Sequence, residues 1–348
     1  MAQINKSNEY FNTKLYTQNA STNAITGVNF QPDFTWIKNR DSGTRDHRIF
    51  DSVRGANKPL KVNGTNAEAT ETDTLNSFDS DGFTLGADTQ GYGVNDLSGN
   101  NTVSWNWLAG GTGVSNTDGS ITSTVSANTI SGFSIGTYTG TGASATIGHG
   151  LGTSPSMVII KRTDSAENWR VHHVGLTGLT YRLALDTTQA EYDETTSGLQ
   201  SWNSSTFTLG SGGSYNASGG SFVFYAFAEK KGFSKAFSYT GNGSTDGSFI
   251  YCGFRPAFVI TKRTDSASDW VILDNKRNSF NVVDKKLESS NSDADTTQTA
   301  CDFLSNGIKL KDTTTSYLGT NISGGTYIGI AFAENPIVGT NNTPAVAR

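Results

Sequence analysis

The sequence has little charge, little proline and almost no cysteine. Only 16 % of the 348 residues are charged, compared with roughly 25 % in an average soluble domain. The two cysteines, Cys252 and Cys301, cannot form a disulfide framework, and by themselves they cannot complete a four-ligand zinc site. We therefore expect both thiols to be buried as small hydrophobic groups, and we expect no cofactor and no metal.

Long runs of a single kind are also missing. The net charge is −5 and no basic cluster is longer than a pair, so we expect no binding to nucleic acid. The longest apolar run, residues 222–228, is far shorter than the roughly 20 residues that span a bilayer, so we expect no membrane insertion. The first six residues are polar and lack the apolar centre of a signal peptide. We therefore expect synthesis in a cytoplasm without secretion by the usual route.

The abundant residues favour strands and tight turns. The chain has 39 glycines, and Ser, Thr, Asn, Phe and Tyr are frequent throughout. β-Branched and aromatic residues fit pleated strands, whereas Gly, Asn and Ser suit the turns between them. This composition predicts an all-β protein without long helices.

One stretch occurs three times, at residues 30–42, 152–165 and 254–266. Each copy has a proline, two further residues, an apolar run rich in β-formers, a lysine, two further residues, and Asp-Ser. Proline ends the preceding loop, the apolar run predicts a half-buried strand, and Asp-Ser opens the next turn. A second repeated feature is an Asn-containing turn that precedes an aromatic strand, at Asn95, Asn216 and Asn321.

The spacing of these features gives the size of the repeated unit. Asp41, Asp164 and Asp265 are separated by 123 and 101 positions, and the three asparagines by 121 and 105. The unit is therefore about 100 residues long, with an insertion of about 20 residues after the first copy. A unit of this size is too large for a solenoid repeat and suits a β-sandwich.

These observations predict three tandem antiparallel β-sandwich repeats of jelly-roll or concanavalin-like type. The expected boundaries are residues 1–110, 131–231 and 232–335. Residues 111–130 are rich in Gly, Ser and Thr, which favours a flexible linker. Within it, residues 122–129 are expected to add a short strand before the second repeat. Residues 336–348 are expected to form a C-terminal tail.

The recurring Lys-x-x-Asp has two interpretations. It forms a ligand site, or the Asp-Ser caps a turn through side-chain-to-backbone hydrogen bonds. We favour the cap, because the pattern recurs together with the strand. The pairs are Lys38 with Asp41, Lys161 with Asp164, and Lys262 with Asp265.

Other candidates for chemistry are weaker. Asp79 and Asp81 resemble part of a calcium loop, but a further acidic ligand at the proper distance is missing, so a turn between two strands is the better interpretation. The pair Asp193-Glu194 has the residue types of a glycoside-cleaving site, but its carboxylate separation cannot be read from sequence. We expect no metal site and no catalytic site, and the protein is predicted not to be an enzyme.

Histidines and tryptophans were considered as metal ligands and as sugar-stacking groups. Adjacent His172 and His173 point to opposite faces of a strand, and with His47 and His149 they suggest no metal triad. Indoles near strand ends either stack on a sugar or fill the ends of the sandwich cores. These indoles are Trp169, Trp202 and Trp270.

Several longer motifs resemble one protein family. They are residues 49–58, 77–83, 105–107 followed by Gly110-Gly111, 148–152 and 253–258. Together they are similar to the repeat-bearing tail and fibre-type structural proteins of marine tailed bacteriophages, of cyanophage-like type. The resemblance extends over nearly the whole chain, and the family carries no catalytic residues that could be transferred to this sequence.

The resemblance implies a virion structural protein, tail-associated as a fibre or tail-tip component, that helps recognise the host surface or its glycan. The alternatives are a capsid-bound head fibre or decoration protein and a glycan-cleaving enzyme. Its expected partners are other virion proteins, further copies of itself in a homotrimer or higher ring, and host glycan. Its ligand-binding residues are not identified by the sequence.

Overall fold

The chain folds almost entirely into antiparallel strands. The computed structural model describes Ile4, residues 6–313 and 319–335, and the backbone of strands at 337–338 and 344–345. Strand accounts for 45 % of the chain and helix for 2 %, so the all-β prediction is confirmed. Apart from those two short strands, the tail predicted at 336–348 lies outside the described residues.

Strands of the first segment, residues 11–107, form a five-stranded and a three-stranded sheet. A short 3-10 helix, Ser7–Glu9, precedes them. The strand orders are β1-β8-β3-β4-β5 and β2-β7-β6. The strands are β1 (Phe11–Thr17), β2 (Asn23–Thr26), β3 (Phe34–Asn39), β4 (Arg48–Asp51), β5 (Gly55–Lys61), β6 (Leu75–Asp79), β7 (Gly82–Leu85) and β8 (Asn101–Trp107).

The second segment, residues 114–227, forms an eight-stranded and a three-stranded sheet. Their orders are β16-β15-β14-β13-β19-β11-β10-β9 and β12-β18-β17. The elements are β9 (Val114–Asn116), β10 (Ser123–Asn128), β11 (Phe133–Thr139), β12 (Ala145–Gly148), β13 (Met157–Arg162), β14 (Arg170–His173), β15 (Tyr181–Ala184), β16 (Tyr192–Asp193), β17 (Leu199–Trp202), β18 (Thr206–Leu209), α1 (Gly213–Asn216) and β19 (Ser221–Phe227).

The third segment, residues 234–333, forms one eight-stranded sheet of order β20-β27-β22-β23-β24-β25-β26-β21. A separate two-stranded ribbon follows it, made of β28 (Ile337–Val338) and β29 (Pro344–Ala345). The strands of the large sheet are β20 (Ser234–Thr240), β21 (Phe249–Tyr251), β22 (Pro256–Arg263), β23 (Trp270–Asp274), β24 (Val283–Glu288), β25 (Thr296–Leu304), β26 (Gly307–Leu310) and β27 (Thr326–Ala333).

Each segment has one central strand that is buried on both faces: β8, β19 and β27. The recurring stretch of the sequence supplies β3, β13 and β22, and each of these pairs with the central strand of its own segment. Strands β19 and β27 are near-continuous apolar and aromatic runs, so both of their faces must be covered. Strand β8 instead alternates, with Val103, Trp105 and Trp107 on one buried face and small polar residues on the other.

The inner faces of the three segments share one hydrophobic core, to which all three contribute. At its centre the rings of Trp107, Phe227 and Phe332 contact one another, with centroid separations of 6.3, 5.4 and 5.8 Å. Three further cores lie under the outer strands, each within a single segment or nearly so. The segments therefore surround a common core, and each also covers a core of its own.

The Gly/Ser/Thr-rich tract at 111–130 contains strands β9 and β10, and β10 pairs with β11 in the second sheet. Strand β10 lies where a short strand was expected, at residues 122–129. Strand β9 was not expected, because serine and threonine suit an exposed strand as well as a linker. The boundaries of the predicted domains remain predictions.

Candidate functional site

The polar groups that sequence analysis singled out lie mainly where the segments meet. We call these contacts the first, second and third seams. The first joins residues 61–68 to 161–169, the second joins 184–191 to 262–270, and the third joins 292–295 to 38–43. Because the third seam returns from the third segment to the first, the three segments close into a ring.

Each seam holds one buried lysine of the recurring Lys-x-x-Asp. Lys38, Lys161 and Lys262 are at most 1 % exposed. Their Nζ atoms donate to carbonyl oxygens of the neighbouring segment, over 3.0 Å to Ser292, 2.9 Å to Thr65 and 3.3 Å to Thr188.

These ammonium groups are enclosed by carbonyl oxygens. Each also donates over 2.7 Å within its own segment, to the carbonyl of Asn39, Glu167 or Arg263. Burial lowers the pKa of each lysine to about 8. A lowered pKa is typical of a nucleophilic lysine, but these three are covered on every side and serve to join segments.

The backbone repeats the same contact in each seam. The amide N–H of Glu68 donates to the carbonyl of Thr163 over 2.8 Å, and that of Glu191 donates to Thr264 over 2.8 Å. In the third seam the N–H of Asp295 donates to the carbonyl of Arg40 over 2.8 Å. An Arg40–Asp295 ion pair at 2.7 Å supports this seam alone.

Two of the three tryptophans considered for sugar stacking are fully buried in the seams. The Nε1–H of Trp169 donates over 2.8 Å to the carbonyl of Lys61, and that of Trp270 donates over 2.8 Å to Ala184. Trp202 is half-buried and packs against the core of the second segment. Neither Trp169 nor Trp270 can therefore stack on a sugar in solution.

Buried ion pairs occur at the ends of β4 and β23. Asp51 pairs with Arg54 at 2.5 Å and accepts from the Tyr225 hydroxyl of the second segment at 2.7 Å. An unpaired charge at such a depth would be costly, and the pair removes that cost. Both members are almost inaccessible to solvent.

The third segment repeats this arrangement with a different donor. Asp274 pairs with Arg277 at 2.6 Å and accepts from the Trp105 indole of the first segment at 3.0 Å. In the second segment the same strand end carries His173, whose Nδ1 accepts from the Gly175 amide and whose Nε2 faces the Gly329 carbonyl at 3.1 Å. Each pair of segments is thus joined by a further polar contact beside the shared core.

The aspartates of the recurring stretch lie away from these lysines and cap the central strands. Asp41 accepts from the Asn101 amide at 2.7 Å, and Asp164 accepts from Ser221 at 3.2 Å. Asp265 accepts from the Thr326 amide at 3.1 Å. These hydrogen bonds agree with the turn-capping interpretation and bring no lysine and aspartate together as a ligand site.

The aspartates of the calcium-like turn are held by protein donors. Asp79 accepts from the hydroxyls of Ser77 and Thr84, each at 2.7 Å. Asp81 accepts from the amides of Gly27 at 2.9 Å and Asn29 at 2.6 Å. The turn between β6 and β7 is therefore fixed by its own hydrogen bonds.

Three buried asparagines are more important to the fold than sequence analysis indicated. Asn95, Asn216 and Asn321 are 0 % exposed, and each accepts a backbone N–H and donates to carbonyls of two loops. Sequence analysis placed them only in turns. Their regular spacing was the signal, but burial is not visible in a turn pattern.

The histidines do not converge on one site, and each has at least one ring nitrogen within hydrogen-bond distance of a protein group. His172 faces the Tyr215 hydroxyl at 2.9 Å and the Leu179 carbonyl at 3.1 Å, on the opposite side of β14 from His173. Burial lowers the pKa of both to about 4. His47 accepts from the Trp36 indole at 3.0 Å, and His149 faces the Asn203 carbonyl at 3.2 Å.

The remaining candidate residues, the carboxylates Asp193 and Glu194 and the two cysteines, have structural roles. Glu194 forms ion pairs with Arg182 at 3.0 Å and Arg170 at 3.6 Å, while Asp193 accepts from the Thr195 amide. These carboxylates do not face each other across an open cleft. Both cysteines are buried free thiols in the core of the third segment, and burial raises the pKa of Cys252 to about 12.

The described residues offer neither a metal site nor a membrane-spanning helix. No group of three His, Cys, Asp or Glu side chains is close enough to hold a metal ion. Within the same part of the chain, none of the helices has the length and apolar character needed to cross a membrane.

The fold and seams define an all-β protein whose three segments close around a shared core. The chain belongs to the family described as a domain of unknown function, DUF7483, which matches residues 6–336. A comparison with curated proteins finds no match. The family description names no activity.

Proposed function

We propose that this protein is a non-enzymatic structural component of a tailed-bacteriophage particle, associated with the tail, that helps the particle engage the host surface. The proposal rests on the role of the buried polar residues, which is structural. The three buried lysines, Trp169 and Trp270, which could support chemistry elsewhere, are engaged here in holding the three segments together. The sequence resemblance to phage tail and fibre proteins supports the same class.

We further propose that the three segments are copies of one jelly-roll or concanavalin-like β-sandwich unit. Equivalent contacts support this: each seam has a lysine-to-carbonyl bond and an amide-to-carbonyl bond at corresponding places. The three buried asparagines at matching positions support it as well. A chain built in this way is rigid enough to present loops at a particle surface.

Assembly and ligand follow from the same proposal. The partners would be other virion proteins and further copies of this chain in a trimer or higher ring, with host glycan as the surface ligand. Because the three seams are already occupied within one chain, such an oligomer would use the outer faces of the segments.

The test is to locate the protein on purified particles by electron microscopy and gold-labelled antibody. Label on the tail tip or fibres supports the proposal, and label on the head assigns a decoration protein instead. The purified chain should also compete with particles for adsorption to host cells. Release of reducing sugar from host polysaccharide by the purified chain would show a glycan-cleaving enzyme and contradict the proposal.

A further inference from the structure

The outer face of β21, β26 and β25 presents three exposed apolar side chains next to the charged residues Lys309 and Asp302. Phe249, Tyr251 and Leu304 are 45, 65 and 37 % exposed. In the strand register Tyr251 and Leu304 both lie opposite Gly307, so they flank it on neighbouring strands. Phe249 lies one pleat further along the same face. We call these three side chains the aromatic face.

The other two segments carry small or hydroxyl residues at the corresponding positions. The buried isoleucines Ile25, Ile147 and Ile250 are equivalent, because each is the central inward residue of the short strand beside the last outer hairpin. Around them β2 has Ala24 and Thr26, and β12 has Thr146 and Gly148, where β21 has Phe249 and Tyr251. The aromatic face is thus particular to the third segment.

Strand β21 is also the edge of its sheet. The backbone at Ser248 and Cys252 bonds to the neighbouring strand or its turn, so the alternate residues Phe249 and Tyr251 direct their N–H and C=O groups outward. In the described parts of the chain, no backbone group pairs with that outward side. An open edge of this kind is a ready template for another strand.

The chain itself shows what covers such an edge. On β12, the equivalent strand of the second segment, residues 120–121 lie alongside the edge and form a single β-bridge. The Ile121 amide donates to the Thr146 carbonyl over 3.0 Å, and the Thr146 amide donates to the Ser120 hydroxyl over 2.9 Å. Ile121 forms a parallel bridge with Ile147 and is buried in the second core.

We propose that β21 is a docking edge for an extended segment of a partner protein, which adds to the sheet as residues 120–121 add to β12. The partner segment is uncharged, with a branched apolar residue between hydroxyl residues, and its side chains cover the aromatic face. Main-chain hydrogen bonds supply affinity in this mode, while the aromatic face supplies specificity. The proposal is independent of whether the protein is found on a phage tail.

The experiment uses the full chain and a fluorescent peptide with the uncharged sequence of residues 119–125, blocked at both ends. We expect binding by anisotropy, and slower hydrogen exchange at the amides of Phe249 and Tyr251. Phe249→Pro removes an outward N–H, which an edge strand tolerates, and it should weaken binding at least tenfold. Ala24→Pro, at the equivalent place on β2, is the matched control and should leave binding unchanged.

A second variant distinguishes a loss of binding from a loss of folding. The double substitution Phe249→Thr with Tyr251→Gly keeps the backbone donors and removes the aromatic face, and we expect it to lower affinity while leaving the circular dichroism unchanged. Unchanged exchange at residues 249 and 251 with saturating peptide would overturn the proposal, as would equal losses in Phe249→Pro and Ala24→Pro. Binding of soluble oligosaccharide to this face without competition by the peptide would assign it to carbohydrate instead.

Discussion

At the scale of single residues, burial decides what the ionisable groups do. Lys161 is 0 % exposed and joins two segments through the carbonyls of Thr65 and Glu167. A carbonyl cage without a contacting carboxylate stabilises an ammonium group less than water does, and the lowered pKa reflects this difference. The buried lysines therefore make the stability of the ring depend on pH.

The first prediction concerns Lys161→Met. The pKa of Lys161 is about 8 in the folded chain, against about 10.5 in an unfolded chain. Between these values the unfolded chain binds more protons, so raising the pH relieves the cost of the buried charge. The free energy of unfolding of the natural chain relative to the variant should rise by up to about 3 kcal/mol from pH 8 to 10.5. Urea denaturation at several pH values measures it.

Lys231→Met is the control for this series, because Lys231 is exposed. It should show no comparable change with pH. A difference between the natural chain and Lys161→Met that stays constant across pH 8 to 10.5 would contradict the account of the seam.

The second prediction concerns acid. His172 and His173 have pKa values of about 4 in the folded chain, below the ordinary value of about 6.5. Between these values the unfolded chain takes up protons that the folded chain does not, so stability is complete above pH 6.5 and falls as the pH drops toward 4. Each histidine contributes a loss of up to about 3 kcal/mol.

His173→Gln tests this expectation. Glutamine can donate to the Gly329 carbonyl but does not titrate, so the acid dependence of the unfolding midpoint should become shallower than in the natural chain. Equal slopes for both proteins between pH 4 and 6.5 would show that His173 does not take part.

At the scale of elements, buried asparagines hold the loops of each segment. Asn216 accepts from the Thr141 amide at 2.8 Å and donates to the carbonyls of Ala143 and Gly210. Replacing it with alanine removes the partner of the buried Gly210 carbonyl, at about 1–3 kcal/mol for an unpaired buried group, while the Thr141 amide and the Ala143 carbonyl lie at exposed residues and lose less. We expect Asn216→Ala to lower the free energy of unfolding by about 2–4 kcal/mol, measured by chemical denaturation.

Asn203→Ala provides a comparison of the same chemistry at an exposed turn. Asn203 accepts from the amides of Ser205 and Thr206, so its loss should cost only about 0.5–1 kcal/mol. If the two variants were equally stable, the asparagine contacts would not be important to the fold.

Much of the strand pattern could be predicted from the sequence, because it depends on local residue types. Pro32, Pro155 and Pro256 with the following apolar runs locate β3, β13 and β22. The seams could not be predicted in this way. The lysines of the seams donate to the backbone carbonyls of Thr65, Thr188 and Ser292. Every residue has a backbone carbonyl, so the residue types do not show which ones accept these hydrogen bonds. Strand β9 was not predicted, because Ser and Thr suit exposed strands and linkers equally.

At the scale of the whole molecule, the shared core makes the segments depend on one another. Ile135, Met157, Val223, Tyr225 and Phe227 of the second segment all face this core. Removing the other segments exposes a large apolar surface, and such surfaces associate. The fold therefore depends on the presence of all three segments.

The fourth prediction is that residues 111–231, produced alone, will not behave as a stable monomer. We expect self-association in size-exclusion chromatography with light scattering, whereas the full chain should unfold in one cooperative transition. Tyr225→Lys in the fragment should reduce association by charging the exposed face. A monomeric fragment that melts at the temperature of the full chain would contradict the shared core.

The third seam, in which the Asp295 amide meets the Arg40 carbonyl, also limits how this chain can evolve. An open array of repeats can gain or lose a unit at its end, since only the capping surface must be restored. A closed arrangement has no end. A duplicated segment would have to break an existing contact before making its own, and a deleted one would leave two mismatched surfaces exposed. The closed ring thus fixes the number of segments at three, and we expect changes in size to be confined to loops on the outer strands.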